Sequence, residues 1–347
     1  MIGAQVTLAQ PQLLGAGPQP LLAERLSPGA WLQRAGSSQP VLGGLGWGCS
    51  GPGLAPLQVR VLSDEGPWVD TWHSQQTDLR SGRSGAVQWR ADGDWAFGQL
   101  ELPTADADLA ETTRSAYRDV FAALNDCGRP QLLRLWNYLP RINADSGGLE
   151  RYRQFNIGRQ QAFLDAGQDA FEGSPAACAL GTSGAQSGGL AIRFLAGRLP
   201  PRPVENPRQV SAYRYSSSFG PRAPTFSRAA LADAGGGRVL LFISGTASIV
   251  GEQSLHPGDV TRQTEETLRN LQAVLDAAMK QCSAHFTLAD LQCTVYLRHS
   301  ADAACVLALL AQAMPGALPP RCVQADICRA ELLVEIEAQA FAPGDLA

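Results

Sequence analysis

The sequence predicts an α+β fold made of two tandem units, each a mixed β-sheet packed on helices. The order strand, helix, strand occurs over Trp95–Asn143 and again over Arg238–Ser300. In both stretches the helix begins after an aspartate and ends near a cysteine, which indicates a duplicated unit. A chain of 347 residues has room for two domains of ordinary size. We therefore predict a first domain over residues 1–165 and a second over 166–347.

Local patterns predict the elements of the first unit. The first ~30 residues are rich in Pro, Gly and Gln, which predicts a loosely ordered start. Runs of β-forming residues predict strands at Leu57–Leu62, Trp68–His73, Ala86–Arg90, Trp95–Leu102 and Leu132–Leu139. A helix is predicted between Asp108 and the Cys127-Gly128 pair, because its apolar residues fall on one face.

The second unit repeats this order after a helix, Leu149–Ala166, and a Gly/Ser segment, Gly181–Gly189. That segment fits either a tight turn or a ligand contact, since it matches no phosphate-binding or nucleophile motif. Asp259 is a predicted N-cap of the long second-unit helix. The predicted strands are Arg238–Ser244, Leu291–Leu297 and Glu331–Ala340, and the predicted helices are Asp259–Lys280 and Ala301–Met314.

Composition excludes several classes of function. Acidic residues number 32 against 28 basic ones, so a net charge of -4 gives no general attraction for nucleic acid or anionic lipid. No apolar run approaches the ~18 residues of a membrane span, and the first residues lack the pattern of a secretory signal. The eight cysteines form no CxxC pair and the four histidines show no metal-ligand spacing. We expect a cytoplasmic protein with reduced thiols, no metal and no cofactor.

The last predicted strand carries two acids that need an explanation. Glu335 and Glu337 are two residues apart, so they lie on one face, while Val334 and Ile336 face the core. One interpretation is a solvated sheet face. The other is a carboxyl group held in a pocket, where burial raises its pKa and fits it for general acid catalysis.

Arginines and aromatic residues cluster in two other segments. In the predicted helix from Leu149, the side chains of Tyr152 and Arg159 share a face that could line an anion pocket. Tyr213 and Tyr215 alternate on one face of a predicted strand, with Arg222 shortly after. Core tyrosines and surface arginines would explain these patterns equally well.

Longer motifs resemble two related groups of proteins. The segment from Arg238 to about Ala340 resembles the RidA/YjgF family, which consists of α+β subunits that commonly assemble as trimers. About two thirds of the chain resembles the chorismatases of the same superfamily, whose N-terminal half is a degenerate RidA-like unit. The motifs that carry this second resemblance are LWNYLPRIN (135–143), LERYRQFNIGRQQAF (149–163), ALGTSG (179–184), VSAYRYSSSFGPRAPTFSRA (210–229), ISGTASIVGE (243–252) and DICRAELLVEIE (326–337).

The resemblance implies an enzyme that converts chorismate to pyruvate and 3-hydroxybenzoate, with or without 4-hydroxybenzoate. It implies that Glu335 is the acid and base that protonates the enolpyruvyl ether. It implies that Cys328 is a pocket residue typical of the subtypes that form aromatic products, and that Ala247 is a second position of that kind. The residues expected to hold the carboxylates and the ring hydroxyl of the substrate are Tyr152, Arg159, Tyr213, Tyr215, Arg222 and Arg298.

Three other functions stay open at this point. A hydrolytic chorismatase would release a dihydroxycyclohexadiene carboxylate, and a RidA-type enzyme would hydrolyse imines or enamines. A scaffold or binding protein would bind chorismate without turnover. The resemblance also implies a homotrimer, although a fused pair of units could satisfy some trimer contacts internally.

Overall fold

A computed structural model of the chain describes residues 17–37, 41–57, 59–74, 76, 78–104, 108–182 and 189–347. Its helices are α1 (Pro28–Ala35), α2 (Leu109–Cys127), α3 (Arg151–Asp165), α4 (Val260–Ala278) and α5 (Ala303–Ala313). Its strands up to residue 182 are β1 (Leu21–Leu26), β2 (Gly43–Trp47), β3 (Leu54–Leu57), β4 (Arg60–Val61), β5 (Trp68–Ser74), β6 (Arg80–Ser84), β7 (Val87–Ala91), β8 (Trp95–Leu102), β9 (Gln131–Pro140), β10 (Asp145–Ser146), β11 (Leu149–Glu150) and β12 (Ala176–Thr182). The later strands are β13 (Leu190–Gly197), β14 (Arg202–Val204), β15 (Ala229–Asp233), β16 (Arg238–Ala247), β17 (Ile249–Val250), β18 (Gln253–Ser254), β19 (Gln292–Leu297), β20 (Arg321–Gln324), β21 (Asp326–Ile327) and β22 (Val334–Pro343).

Two seven-stranded sheets have the same topology. The first has the strand order β21-β12-β9-β13-β8-β7-β6, and the second has the order β4-β20-β19-β22-β16-β15-β14. In the first sheet, β8 and β9 precede and follow α2, and the later strand β13 lies between them, antiparallel to both. In the second sheet, β16 and β19 precede and follow α4, and the later strand β22 lies between them in the same way. Each sheet also has one parallel pair at the equivalent position, β9 with β12 and β19 with β20. The predicted α+β fold of two tandem units, each with a mixed sheet on helices, is thereby confirmed.

The chain changes from one sheet to the other between Gly197 and Arg202. Strands β12 and β13, which follow the predicted boundary at residue 165, pair with β9 and β8 of the first sheet. The units also exchange short edge strands, because β21 adds to the first sheet and β4 adds to the second. Pairing of this kind depends on the tertiary fold, so the local sequence does not reveal it.

The two sheets pack face to face, with a helix layer on each outer side. One apolar core lies between the sheets, and two others join α2 and α3 to the first sheet and α4 and α5 to the second. At the centre of the inner core, the hydroxyl groups of Tyr138 and Tyr296 lie 3.2 Å apart in a hydrogen bond. These tyrosines occupy matching positions on β9 and β19, one from each unit.

A third sheet of four strands, in the order β1-β5-β2-β3, adds to the inner core. Its tryptophans Trp47, Trp68 and Trp72 are almost fully buried there. The expectation of a loosely ordered start is therefore wrong from Leu21 onward, because β1 pairs along β5 over six residues. Residues 1–16 lie outside the described part of the chain.

The predicted helices form for the expected reasons. The side chains of Asp108 and Asp259 accept hydrogen bonds from the third backbone N–H of α2 and α4, which stabilises the first turn of each. Gly128 ends α2 with φ 70°, a left-handed conformation that glycine adopts without steric cost. The predicted strand Leu57–Leu62 is instead divided between β3 and β4. Of the predicted Gly181–Gly189 segment, residues 183–188 lie outside the described residues.

Among the residues that the structure describes, every helix is too short or too polar to span a lipid bilayer.

Candidate active site

The acid pair of the last strand faces the interior of the protein. Glu335 is 3% exposed and Glu337 is 6% exposed, and both side chains lie on the face of β22 that looks toward the first sheet. Val334 and Ile336 alternate with them and pack in the core beneath α4 and α5. The solvated sheet face is therefore the wrong interpretation, because a second sheet covers these acids.

Glu335 lines a cavity of about 460 Å³ between the two units. A narrower pocket that contains Arg159 and Cys178 adjoins it, and the two pockets share Glu335 and four other residues. Residues that line these two pockets include Tyr152, Arg153, Arg159, Tyr215, Phe226, Arg228, Gly245, Ala247, Cys328, Arg329 and Glu335.

Burial sets the protonation state of Glu335. Desolvation, followed by the nearby carboxylate of Glu337, raises the pKa of Glu335 from 4.5 to about 8, and the guanidiniums of Arg134 and Arg228 oppose this rise. At neutral pH the side chain is therefore mainly a neutral carboxylic acid that can donate a proton. Burial also raises the pKa of Cys328 to about 12, so its thiol stays protonated and serves as a packing group.

Three arginines at the cavity have unused hydrogen-bond donors. Among the described residues, Arg159 Nε, Arg228 Nε and Arg329 Nη2 are buried without a hydrogen-bond partner. In two of these side chains, another nitrogen is held by a hydrogen bond to the protein. Arg228 Nη2 donates to Tyr215 Oη at 2.7 Å, and Arg329 Nη1 donates to the Glu252 carbonyl at 2.8 Å. Buried donors without partners are costly, so these three nitrogens could each accept a ligand with anionic oxygens as a partner.

The aromatic part of the wall is held by the same arginines. Arg329 lies 4.1 Å from the ring centre of Phe219 and 5.1 Å from that of Tyr215, and the two rings pack 5.3 Å apart. Tyr152 on α3 contributes a hydroxyl whose pKa burial raises well above the usual value, so it is a neutral donor. The cavity thus combines cations, neutral hydroxyl and carboxyl groups, and apolar ring faces.

Five of the eight predicted site residues meet at this cavity: Tyr152, Arg159, Tyr215, Cys328 and Glu335. The prediction that Tyr213 and Tyr215 share a strand face is wrong, because Ala212–Arg214 forms a 3-10 turn that separates their directions. Tyr213 instead packs against the guanidinium of Arg214. Arg222 is exposed, outside the cavity lining, and contacts Gln160 at 3.4 Å.

Arg298 does not line the cavity or the adjoining pocket. Its guanidinium donates to the carbonyls of Ile327, Arg329 and Leu332 and forms an ion pair with Asp326 at 2.9 Å. These bonds fix the segment that carries Cys328 and Arg329, so Arg298 shapes the cavity from behind. Direct contact of Arg222, Tyr213 and Arg298 with a substrate stays a prediction.

Only the second of the two duplicated units has a carboxyl group at the position of Glu335. In the second unit Glu335 lies opposite Tyr296, and in the first unit Ala191 lies opposite the matching Tyr138. Two residues further along, Glu337 corresponds to Arg193. The first unit therefore lacks a carboxyl group at this position, and it contributes α3 and β12 to the cavity wall instead.

Comparison with known proteins now places the chain among its relatives. Residues 70–196 match the family model described as chorismatase FkbO/Hyg5-like, N-terminal, and residues 223–342 match the model described as endoribonuclease L-PSP. The chain is similar to a 3-hydroxybenzoate synthase of Streptomyces hygroscopicus, with 34% identity over 82% of this chain and 85% of the relative. It is 36% identical to a chorismatase of Streptomyces rapamycinicus over 78% of this chain and 81% of that one. The chain belongs to the chorismatase family.

A solved chorismatase structure has the same overall fold. It matches with a TM-score of 0.82 and 30% identity, over 94% of this chain and 100% of the other. The resemblance to chorismatases that the motifs carry is thereby confirmed.

Sequence reasoning missed two cavity arginines and a glycine of this chorismatase-family site. Arg228 and Arg329 stand in the motifs quoted above, yet nothing in their spacing separates them from Arg222 or Arg298. Gly245 lies at an irregularity of β16 opposite the acid pair, and a Cβ built on it would lie 1.8 Å from Glu335 Oε1. The glycine in FISGTAS was the available signal, because glycine inside a strand often marks close approach of another group.

We expect Gly245→Ala to lower turnover with little loss of stability. The added methyl group would displace the Glu335 carboxyl, which is the flexible end of a side chain and can move without unfolding the strand. A displaced catalytic group costs on the order of 100-fold in rate. Steady-state rates and thermal melts measure both effects. Gly29→Ala, which has open space around its new Cβ, is the control, and wild-type turnover by the G245A variant would contradict this account of Glu335.

Proposed function

We propose that the protein is a chorismatase that converts chorismate to pyruvate and 3-hydroxybenzoate, with or without 4-hydroxybenzoate. The observation that carries this proposal is the combination of a neutral, buried Glu335 with three unpartnered guanidinium donors around one cavity. Chorismate has two carboxylates, a ring hydroxyl and an acid-sensitive enolpyruvyl ether. Each of these groups has a counterpart among the cavity residues. The names of the relatives support the same substrate.

Binding would orient the substrate through its two carboxylates. Arg228 and Arg329 line the larger pocket and Arg159 the narrower one, so the two carboxylates could be held at separate points. Charge-assisted bonds to guanidinium groups are strong and directional. Tyr152 and Tyr215 would donate or accept at the ring hydroxyl. An orientation fixed in this way places the vinyl group at the remaining functional group, the carboxyl of Glu335.

Glu335 would act first as a general acid. Its proton moves to the methylene carbon of the enolpyruvyl group, and the vinyl π electrons form the new C–H bond. The bond between ring C3 and the ether oxygen then breaks, and its electron pair forms the ketone of pyruvate. The resulting carboxylate of Glu335 is a base that takes a proton from the ring or its hydroxyl, which restores the acid.

The fate of the ring decides the aromatic product. When the C4 hydroxyl oxygen bonds to C3 as the ether leaves, the strained oxide opens at C4 and loses the C3 proton, which gives 3-hydroxybenzoate. Loss of the C4 proton without this migration gives 4-hydroxybenzoate. Pyruvate and either hydroxybenzoate together contain every atom of chorismate, so neither route consumes water. The apolar side chains of Phe226, Ala247 and Cys328 would keep water from competing.

Incubation with chorismate followed by chromatography tests the proposal. Equal amounts of pyruvate and hydroxybenzoate are expected. A dihydroxycyclohexadiene carboxylate in place of the hydroxybenzoate would identify a hydrolytic enzyme. Ammonia release from 2-aminoacrylate without chorismate turnover would identify an imine hydrolase, and binding of chorismate without products would identify a non-enzymatic protein.

The pH dependence of the reaction follows from the protonation state of Glu335. Its acid form is the active one in the first step, and its pKa of about 8 lies above the usual carboxyl value. We therefore expect kcat/KM to be constant from pH 6 to about 7 and to fall about tenfold per pH unit above about 8. Initial rates of pyruvate release over this range measure the profile. A rate that rises through pH 9 would contradict an acid role for this group.

The homotrimer and the cytoplasmic location belong to the same proposal. Light scattering on the purified protein gives its mass directly. A trimer is expected from the RidA-like fold, and a monomer would indicate that the two fused units satisfy the contacts between them.

A further inference from the structure

Glu335 shares its strand face with a second acid that already has a partner. We propose that Arg134 and Glu337 form a positioning pair that keeps Glu335 protonated between turnovers, an inference that rests on the proposed function. Neither residue lines the cavity that contains Glu335, so the pair would act through Glu335 and not on the substrate.

The pair crosses the inner core from one unit to the other. Arg134 on β9 donates from Nη2 to Glu337 Oε2, and its Nη1 lies 3.3 Å from the carbonyl of Ile243 on β16. The two side chains are 2% and 8% exposed. The guanidinium also packs 5.3 Å from the ring centre of Trp136. An arginine held at three points has little freedom to leave its carboxylate.

This arrangement gives the two acids different roles. The Glu337 carboxyl group already has a partner, because the buried guanidinium of Arg134 lies at hydrogen-bond distance from it. The Glu335 carboxyl has no ion pair and no hydrogen bond within the described part of the chain. Residues two apart on a strand are about 7 Å apart, and a fixed charge at that distance in a buried site opposes a second charge of the same sign.

The charges near Glu335 act on its pKa in opposite directions. The carboxylate of Glu337 raises the pKa of Glu335 by more than either Arg134 or Arg228 lowers it. The titratable and charged groups that line the cavity with Glu335, or lie opposite it in the sheet, are Glu150, Tyr152, Arg153, Arg159, Cys178, Tyr215, Arg228, Tyr296, Cys328, Arg329 and Glu331.

The test compares the alkaline limb of the rate profile in three variants of the full chain. Glu337→Gln removes the negative charge that opposes ionisation of Glu335 and leaves the Arg134 cation. The pH at which the rate begins to fall should therefore decrease by at least one unit. The R134M/E337Q double variant removes both charges, and its limb should lie between those of E337Q and the wild type. Arg134→Lys keeps the pair and should leave the limb within half a unit of the wild type.

If the pair has only a structural role, the variants would lower the rate without shifting the pH of the alkaline limb in the order E337Q, R134M/E337Q, wild type. Limbs of E337Q and R134M/E337Q that coincide with the wild type would overturn the inference. Where E337Q does not fold, the double variant alone decides the matter, because it leaves no unpaired buried charge.

The inference and the proposed function can fail separately. Infrared difference spectra between the wild type and E335Q report the protonated carboxyl band of Glu335 without any substrate. The midpoint of that band should move down in E337Q even if chorismate is not the substrate. An unchanged midpoint beside normal chorismate turnover would overturn the positioning pair and leave the proposed function intact.

Discussion

Glu335→Gln is expected to reduce the rate of pyruvate release from chorismate by about 10³-fold, which lies within the usual contribution of a general acid to the rate. The amide has nearly the same shape as the protonated carboxyl group but cannot donate its proton to a carbon. Chorismate binding should persist, because the guanidinium groups of Arg159, Arg228 and Arg329 remain. The measurements are initial rates and calorimetric binding, and Glu265→Gln on the exposed face of α4 is the matched control.

The stability of the same variant separates a lost proton donor from a lost fold. Folded Glu335 has a pKa of about 8 against 4.5 in the unfolded chain, so the folded state binds the extra proton. Its contribution to stability is complete below about pH 4.5 and is lost as the pH rises to about 8. The E335Q variant has no titratable group at this position, so it does not lose this stability as the pH rises. The melting temperature of E335Q minus that of the wild type should therefore be larger at pH 8 than at pH 5. A less stable E335Q at both pH values would point to misfolding as the cause of lost activity.

Arg228→Met is expected to reduce kcat/KM on the order of 100-fold through loss of a charge-assisted contact to a substrate carboxylate. The side chain is 5% exposed, and its Nε has no partner among the described residues. Arg228→Lys should recover part of the loss, since it keeps a charge but not the planar fork. Steady-state kinetics and binding of chorismate by each inactive variant measure the effect.

The matched control lies six residues earlier in the same loop. Arg222→Met makes the same chemical change at an exposed residue outside the cavity lining. We expect its kcat/KM to stay within about twofold of the wild type, a result that would rule out the substrate contact predicted for Arg222 from the sequence. Comparable losses in R222M and R228M would contradict the placement of these two arginines. The two variants thus test whether Arg228 or Arg222, which the spacing of the motif does not distinguish, binds the substrate.

The strand pattern alone predicts that Glu335 and Glu337 share a face, because that signal is local, whereas the acid role of Glu335 is implied only by the resemblance to chorismatases. Glu335 and Glu337 interrupt an apolar strand at a spacing of two, so a shared face follows from strand geometry. Whether that face is wet depends on the facing sheet, which supplies Arg134 from 203 residues away. Periodicity holds no information about a partner so distant in the chain. The burial of the pair, and with it the raised pKa of Glu335, could therefore not be predicted from the strand itself.

The long helices and central strands were predictable for a similar reason. Asp108 and Asp259 cap helices whose apolar faces repeat over 19 residues each, so the signal is long and strong. The exchanged edge strands β4 and β21 have two residues each, too few to carry any pattern. Arg222 is exposed and Arg228 is buried, and both follow a loop of 3-10 turns that ends at Gly220, with φ 142°. Such a loop has no period from which the burial of either arginine could be predicted.

The central claim, that the side chain at position 335 protonates the vinyl ether of a substrate clamped by guanidinium groups, is tested most directly by a crystal structure of E335Q with chorismate. The account predicts that the methylene carbon lies about 3–3.5 Å from the side chain at position 335. It also predicts that each carboxylate contacts at least one of Arg159, Arg228 and Arg329. A complex in which the enolpyruvyl group points away from β22, with its carboxylate in solvent, would contradict it.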